Sequence, residues 1–284
     1  MATASLNSAT PSSTREYALG YTNAEHDRLT RQAALIAPLT ARLFQEAGIG
    51  PGQRVLDLGS GLGDVSMLAA GLVGPTGEVV GIERDAASIA LAKARAVAAS
   101  LHNITFINTD VSEIAADKPF DAAVGRFILM FVSDPVAVLR SVTRLVRPGG
   151  VVVFQEPSWA AMLALGARFP LWSGVLSCIR ETFSRAGINT ELGLALHRLF
   201  QQVGLPVPQM RLETLLGADA RLTRIMVDLL FSLRPLAERH RVSLNDLGDF
   251  ATLNERVHHE IVASKTVVSV VPIVSAWSHK TSLA

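Results

Sequence analysis

Three carboxylates in the first half of the chain lie within, end or follow apolar runs, where they could act on a ligand that carries hydroxyls or positive charge. The first, Asp57, lies in residues 55–64, which read VLDLGSGLGD. This stretch predicts a buried parallel strand, a glycine-rich turn and the start of a helix. Glycines let the backbone turn sharply and let a ligand lie against the main chain. A dinucleotide loop would hold a pyrophosphate there, but Asp57 and Asp64 would repel phosphate, so a cationic ligand with an adenosine group suits the loop better.

The other two carboxylates belong to the next apolar runs along the chain. Glu83 ends the second run, a position from which an acid can accept both ribose hydroxyls, and Asp110 follows the third. Strands that alternate with helices over residues 53–157 predict a parallel sheet with helices on both faces, whose ligands gather at the carboxyl ends of the strands. The predicted strands after the first are 79–83, 104–108 and 120–126, and the phrase LVRPGGVVV follows at 145–153.

These four motifs, in this order and spacing, resemble those of the class I S-adenosylmethionine-dependent methyltransferases. Within that family the chain is similar to the ubiquinone/menaquinone C-methyltransferase-like group, which also holds many small-molecule and natural-product C-, N- and O-methyltransferases of secondary metabolism. The resemblance is close over residues 50–157 and loose on either side. It implies an α/β fold: a Rossmann-like, seven-stranded, mostly parallel sheet with helices on both faces, an N-terminal helical lid and helical cap insertions.

The resemblance also implies S-adenosyl-L-methionine as the cofactor and assigns roles to the acids. In the family, the acid at Asp57 orders the amino end of the cofactor, and the acid at Asp110 accepts from the adenine amino group. No invariant base is required for transfer. The cofactor-binding residues that we expect are Tyr17, Arg28, Gln32, Asp57, Gly59, Ser60, Gly61, Glu83, Arg84, Asp110, Val111 and Arg126.

The N-terminal part of the chain predicts a lid. We expect a disordered leader over residues 1–14 and a helical lid over 15–50. Its helical run extends from 24 to 47, with Asn23 as a candidate N-cap and a joint near Ala37, because Pro38 is costly within a helix.

Four lid side chains could reach the ligands. Arg28 and Gln32 lie one helical turn apart and could bind the methionine carboxylate, although an exposed, solvated pair fits the same spacing. Tyr17 and Tyr21 are the two tyrosines of the chain. They could contact cofactor and substrate or simply pack, and Tyr21 is the candidate polar contact with the reacting substrate.

The rest of the chain predicts the strands of the central sheet, interrupted by two helical insertions. The cofactor-binding core covers 51–157, a helical cap 158–205, core strand six 206–217, a second cap layer 218–265 interrupted at Pro235, and strand seven with the tail 266–284. Strand seven is expected at 273–277, after Pro272, because proline cannot donate inside a central strand.

The two cap segments carry more apolar and aromatic side chains than covering one sheet edge needs. This surplus must face a ligand or another subunit, so we expect a bulky hydrophobic substrate (prenylated, terpenoid or polycyclic aromatic), or a homo-oligomer formed through the lid or cap. Methylation of carbon or oxygen would proceed by in-line displacement. The expected catalytic residues are Tyr21 and Trp159, and the expected substrate contacts are Glu156, Trp159, Phe169 and Phe183.

The composition indicates which partners the protein binds and where in the cell it is located. The net charge is +1 without a basic block, which argues against nucleic acid. The longest apolar run, 159–167, is less than half of the ~20 residues that cross a bilayer. Residues 1–14 lack the features of a signal peptide, so a cytoplasmic location is expected. A lone Cys178 and the adjacent His258 and His259 predict no metal site.

Two alternatives remain open. One is a binding protein that kept the methyltransferase fold and lost transfer activity, which the intact acids argue against. The other is a nicotinamide-dependent oxidoreductase, which Asp57 and Asp64 beside the glycine loop argue against.

Overall fold

A computed structural model describes residues 20, 22–111, 113–114 and 116–281. Its centre is a seven-stranded sheet in the order β3-β2-β1-β4-β5-β7-β6. Strands β1 to β5 are parallel, and β7 runs antiparallel to both of its neighbours, β5 and β6. The strands are β1 (Arg54–Leu58), β2 (Glu78–Glu83), β3 (Ile104–Asn108), β4 (Phe120–Arg126), β5 (Val146–Pro157), β6 (Gln209–Gly217) and β7 (Val268–His279).

Helices cover both faces of this sheet, which confirms the predicted Rossmann-like α/β fold. In the part of the chain that is described they are α1 (Asn23–Glu46), α2 (Asp64–Val73), α3 (Ala86–Ala98), α4 (Pro135–Leu145), α5 (Ala160–Gly166), α6 (Pro170–Arg185), α7 (Leu192–Gln202), α8 (Ala220–Arg239) and α9 (Leu253–Ala263). None of these helices combines the length and apolarity that crossing a membrane requires.

The alternation of side chains along the strands explains the two-sided core. In β1, Val55 packs on one face with α2 and the end of α1, while Leu56 and Leu58 pack on the other. The second face continues into the cap, where α6 packs against α8 and α9, and α1 packs against α8. The sheet and the cap therefore share one hydrophobic core, and the carboxyl ends of the strands lie beneath the cap.

Two proline predictions were wrong. Helix α1 continues through Pro38 without a joint near Ala37, and α8 continues through Pro235. Both prolines are exposed, so a carbonyl that loses its helical partner can be solvated and the helix need not end. The cap of α1 is also Thr22 instead of Asn23, because the Thr22 side chain accepts from the backbone N–H of Glu25 at 3.2 Å.

The predicted start of strand seven was also wrong. Strand β7 begins at Val268 and contains Pro272. The ladder with β6 skips from Ile273 to Val270, so Val271, with φ of +48°, and Pro272 form a bulge. The missing N–H of the proline falls where the ladder is already interrupted, and a central strand tolerates it there.

Candidate active site

A cavity of about 710 Å³ lies at the carboxyl ends of β1 to β5, beneath α1, α5, α6 and α8. Most of the residues expected at the site line it: Arg28, Gln32, Gly59, Ser60, Gly61, Glu83, Arg84, Asp110, Val111, Arg126, Trp159 and Phe183. Asp57, Glu156 and Phe169 are buried and do not line it. Tyr17, Tyr21 and the leader 1–14 lie outside the described residues.

The glycine loop after β1 has the geometry that its composition predicts. Gly59, Gly61 and Gly63 all have left-handed φ values, of +63°, +51° and +81°. A Cβ on Gly59 would come within 2.5 Å of the Ile128 side chain, whereas a Cβ on Gly61 would find no atom nearer than 4.0 Å. Gly59 is therefore required for packing, and Gly61 presents open backbone to the cavity.

Glu83 supports this loop from the end of β2. Its Oε2 accepts from the backbone N–H of Gly61 at 3.0 Å, and its Oε1 accepts from those of Arg84 and Asp85 at 2.8 and 2.9 Å. A carboxylate offers about four acceptor positions, so this arrangement leaves about one for a ligand. Binding both ribose hydroxyls would require the exchange of one backbone hydrogen bond.

Asp57 lies under the loop and does not line the cavity. It is 1% exposed and accepts from Ser66 Oγ at 2.6 Å. Burial raises its pKa to about 7, although Ser66 and Arg126 act in the opposite direction. An effect of Asp57 on the amino end of a cofactor stays a prediction, and in this geometry it would act through the electrostatic field instead of by direct contact.

Arg126 ends a buried polar chain that the sequence did not predict. Its Nη1 donates to Thr40 Oγ1 at 3.1 Å, Thr40 donates to Gln155 Oε1 at 2.7 Å, and Gln155 Nε2 donates to Ser275 Oγ at 3.1 Å. Burial lowers the pKa of Arg126, and the negative charges of Asp64 and Asp57 oppose that effect. This series of hydrogen bonds links α1, β4, β5 and β7 and fixes the guanidinium of Arg126 in the cavity wall.

Arg28 is held in the cavity wall by an acid that the sequence reasoning also missed. Its Nε and Nη2 donate to the two oxygens of Glu25 at 2.7 and 2.6 Å, and its Nη1 donates to Gln32 Oε1 at 2.8 Å. Arg28 is 3% exposed and donates to Gln32, so the exposed, solvated pair of Arg28 and Gln32 is not what the structure contains. The spacing of three residues on a helix was the available signal for this pair. A contact of Arg28 with the methionine carboxylate stays a prediction.

Glu156 positions the loop after β4. The carboxylate accepts from the backbone N–H groups of Ile128, Leu129 and Met130 at 3.0, 2.8 and 3.3 Å. Burial raises its pKa to about 8, against the opposing effect of these three donors. Since the side chain is fully buried and does not line the cavity, it holds the cavity wall in place and has no surface to offer a substrate.

The cap side of the cavity is an apolar chamber, formed by Trp159, Met162, Phe183, Met226 and Leu229. The ring of Phe183 meets that of Trp159 edge-on, with centroids 6.0 Å apart. The backbone N–H of Trp159 donates to Glu191 Oε1 at 2.8 Å, which fixes the start of α5. Phe169, by contrast, packs in the hydrophobic core and does not line the chamber.

Comparison with known proteins agrees with this geometry. A family described as a methyltransferase domain matches residues 49–188. Demethylmenaquinone methyltransferases of several Staphylococcus aureus strains are 29% identical to the chain, over 57% of its length and 72% of theirs. The chain belongs to the class I S-adenosylmethionine-dependent methyltransferases. S-adenosyl-L-methionine is the cofactor of this methyltransferase.

Solved structures share the fold of this methyltransferase at low sequence identity. The YcgJ protein of Bacillus subtilis is 15% identical, with a TM-score of 0.56, and the match covers 86% of this chain and 98% of that one. The [4+2]-cyclase SpnF is 20% identical, with a TM-score of 0.54, over 86% of this chain and 81% of that one. These likenesses support the fold and say nothing of the acceptor.

The residues of this methyltransferase fit S-adenosylmethionine. Ser60 Oγ is buried at the cavity without a hydrogen-bond partner among the described residues, so it is available to a polar ligand. The open face of Gly61 leaves room for a ligand against the backbone. Asp64 and Glu83 supply negative charge around the loop, which suits a ligand with a sulfonium and an ammonium group.

Proposed function

We propose that this methyltransferase acts on a bulky, largely apolar small molecule, such as a prenylated, terpenoid or polycyclic aromatic secondary metabolite, and methylates it on carbon or oxygen. The observation that carries the proposal is the continuity of one cavity. The same space is bounded by the polar glycine loop at one part of its wall and by the apolar chamber at another. Its volume of about 710 Å³ is within the usual range for small-molecule sites, which are lined mainly by hydrophobic and aromatic groups.

For methyl transfer, the main task of the protein is to align the acceptor atom with the methyl group of the cofactor. When bound, S-adenosylmethionine supplies a methyl group on a positively charged sulfur, which is displaced in line by the acceptor. Holding two reactants in register is worth about 7 to 11 kcal/mol in favourable cases. The loop anchored by Glu83 and the turn anchored by Glu156 provide two fixed walls for such alignment. The chamber side chains exclude water, and the face of Trp159 would stabilise positive charge that develops on a carbon acceptor.

The sequence relatives favour a prenylated acceptor for the first assays. Their name states that they methylate demethylmenaquinone. A prenylated hydroquinone combines an apolar body with an electron-rich, hydroxyl-bearing ring, and both properties suit the apolar chamber and its aromatic walls. Cytoplasmic location and a homo-oligomer through the lid or cap stay predictions of the sequence.

Partly filling the apolar chamber tests the substrate class. Leu229→Phe adds volume to the chamber wall, so KM for a geranylated hydroquinone should rise about tenfold or more, a loss of about 1.4 kcal/mol. The dissociation constant of S-adenosylmethionine, measured by calorimetry, should stay unchanged. Leu216→Phe is the matched control, because Leu216 is 60% exposed on β6 and does not line the cavity. Equal kinetics for both variants would contradict a chamber that holds the acceptor.

A further inference from the structure

His26 carries a buried nitrogen that nothing in the described part of the protein satisfies. The residue lies in the first turn of α1 and lines the large cavity. Its Nε2 is buried and has no hydrogen-bond partner among the described residues. An unsatisfied buried polar group costs about 1 to 3 kcal/mol. Such an atom in the wall of a ligand cavity points to a partner that the ligand supplies.

His26 lies on a face of α1 that lines the cavity. Residues 26, 29 and 33 share one face of α1, and Leu29 and Ala33 also line the cavity. Arg31 donates to Asp228 of α8 at 2.9 Å, which brings this half of α1 against the part of α8 that contributes Met226 and Leu229 to the apolar chamber. The helix that carries His26 therefore packs against the helix that forms part of the chamber, and His26 lines the cavity to which the chamber belongs.

The carboxylates around the cavity are poor candidates for accepting a proton there, because each is engaged or exposed. Glu83 binds three backbone N–H groups, Asp64 pairs with Arg95, and Asp110 has a partner of its own. Asp134 caps α4, and Glu113 is exposed. The arginines of the wall are cations and cannot act as bases. Among the described residues that line the cavity, His26 is thus the strongest candidate base.

We propose that His26 is the proton acceptor for a hydroxyl-bearing substrate of this methyltransferase. The inference rests on the proposed function and deepens it, because it specifies an acceptor with a phenolic or enolic hydroxyl. Phenols ordinarily ionise near pH 10, as tyrosine does, so at neutral pH a positioned base is useful. General-base assistance of this kind contributes about 10²- to 10⁴-fold to rate.

Transfer to an oxygen acceptor replaces the hydroxyl proton by the methyl group. The acceptor oxygen forms a bond to the methyl carbon while the bond from that carbon to sulfur breaks, and the electron pair of the broken bond returns to sulfur. The acceptor O–H bond breaks, and its proton moves to Nε2 of His26. The imidazolium then releases the proton to solvent, which restores the neutral ring for the next turnover.

The test compares His26→Gln with wild type in the full-length chain, using a geranylated hydroquinone as the probe. Single-turnover methyl transfer should fall about 10²-fold or more in the variant. The dissociation constants of S-adenosylmethionine and of the hydroquinone should change little. His258→Gln is the matched control, because His258 Nδ1 is also buried and unpartnered among the described residues but lies in α9, away from the cavity. That control should transfer methyl at the wild-type rate.

A spectroscopic readout tests the contact without the cofactor. In protein labelled with ¹⁵N-histidine, saturating hydroquinone should move the ¹⁵N resonance of His26 Nε2 and should leave that of His258 unmoved. The His26 resonance is assigned by its loss in His26→Gln.

An unmoved His26 resonance would overturn the proposal, and so would a transfer rate in His26→Gln close to that of wild type. If wild type binds S-adenosylmethionine but methylates no hydroxyl-bearing apolar probe, the proposed function fails and this inference fails with it. Transfer by wild type with an unaffected His26→Gln variant removes this inference alone.

Discussion

The backbone N–H of Gly61 donates to Oε2 of Glu83 over 3.0 Å, and this bond joins the glycine loop after β1 to the end of β2. The same carboxylate is the expected partner of the ribose. Together, the observed bond and the expected contact predict that the shape of the loop and the affinity for the cofactor depend on one side chain.

Replacing Glu83 should weaken cofactor binding. A lost hydrogen bond to a charged group costs about 1.5 to 3 kcal/mol, so Glu83→Ala should raise the dissociation constant of S-adenosylmethionine by about one to two orders of magnitude. Calorimetric titration measures it. Glu78→Ala is the control, because Glu78 lies at the opposite end of β2 and pairs with Arg54 at the surface. An unchanged constant in Glu83→Ala would remove the assignment.

Trp159 should affect turnover more than binding. The indole forms one wall of the apolar chamber and meets Phe183 edge-on, so its loss disturbs acceptor alignment and, for a carbon acceptor, the stabilisation of developing positive charge. Trp159→Ala should lower kcat by a larger factor than it raises KM. Because truncating a buried tryptophan costs about 3 to 5 kcal/mol, the kinetics are measured below the melting temperature of the variant.

Tryptophan 172 provides the comparison for that variant. Trp172 is fully buried in α6 and does not line the cavity. Trp172→Phe should reduce stability while leaving kcat and KM of the folded protein unchanged. Normal kinetics in Trp159→Ala, or equal kinetic defects in both variants, would contradict a role of Trp159 at the acceptor.

Asp57 should make the protein less stable as the pH rises. Burial raises its pKa to about 7 in the folded protein from an ordinary value of 3.8. Between about pH 4 and pH 7 the folded chain keeps a proton that the unfolded chain has released, so the free energy of unfolding falls through this window, by up to about 4 kcal/mol from this group. The stabilisation that protonated Asp57 contributes is complete below about pH 4 and is lost above about pH 7.

Urea unfolding across that pH window checks this prediction. Asp57→Asn should flatten the fall relative to wild type, although the raised pKa of Glu156 acts in the same direction and leaves a residual slope. Ser66→Ala removes the hydrogen bond that opposes the shift and should extend the fall to higher pH. Identical slopes in wild type and Asp57→Asn would show that Asp57 titrates outside this range.

The lid prediction can be tested by a truncation that preserves the helix cap. Deleting residues 1–19 removes Tyr17 but keeps Thr22, whose side chain caps α1. Turnover should fall because the lid would exclude water from the reaction, while the unfolding transition of the sheet should be unchanged. Extending the deletion through residue 22 adds the loss of the cap, about 1 kcal/mol of stability. Full activity of the shorter truncation would argue against a lid.

The strands of the central sheet could be predicted because each is a short apolar run in the sequence. The bounds of β3 and β4 agree with the apolar runs 104–108 and 120–126, and the acids expected at strand ends line one cavity. Parallel strands bring their carboxyl ends to one edge, so residues far apart in sequence converge there without any knowledge of side-chain packing.

The proline errors had a different origin. A local rule penalises proline within a helix or a central strand, but the cost depends on whether the freed carbonyl or the missing N–H has an alternative. Pro38 is exposed, and Pro272 sits at a bulge in β7. Both features depend on tertiary structure, which the sequence around the proline does not reveal.

The supporting polar residues were beyond sequence reasoning for a similar reason. Glu156 reaches backbone donors 26 to 28 residues earlier, and Thr40 meets Gln155 across 115 residues. Their buried partners become evident only when the strands are aligned. Glu156 was expected to touch substrate, as its neighbour Trp159 was. Glu156 instead lies inside β5, whereas Trp159 follows the strand at the start of α5, so the two side chains have different surroundings.

Transfer of a labelled methyl group tests the central claim most directly. The full-length protein is incubated with S-adenosylmethionine carrying a ¹³C-methyl group, together with a geranylated hydroquinone or with glycine, and the products are analysed by mass spectrometry. The account predicts that the label appears on the hydroquinone and not on glycine, and that it is lost in Glu83→Ala at limiting cofactor. Label on glycine alone, or cofactor binding without transfer to any apolar acceptor, would contradict it.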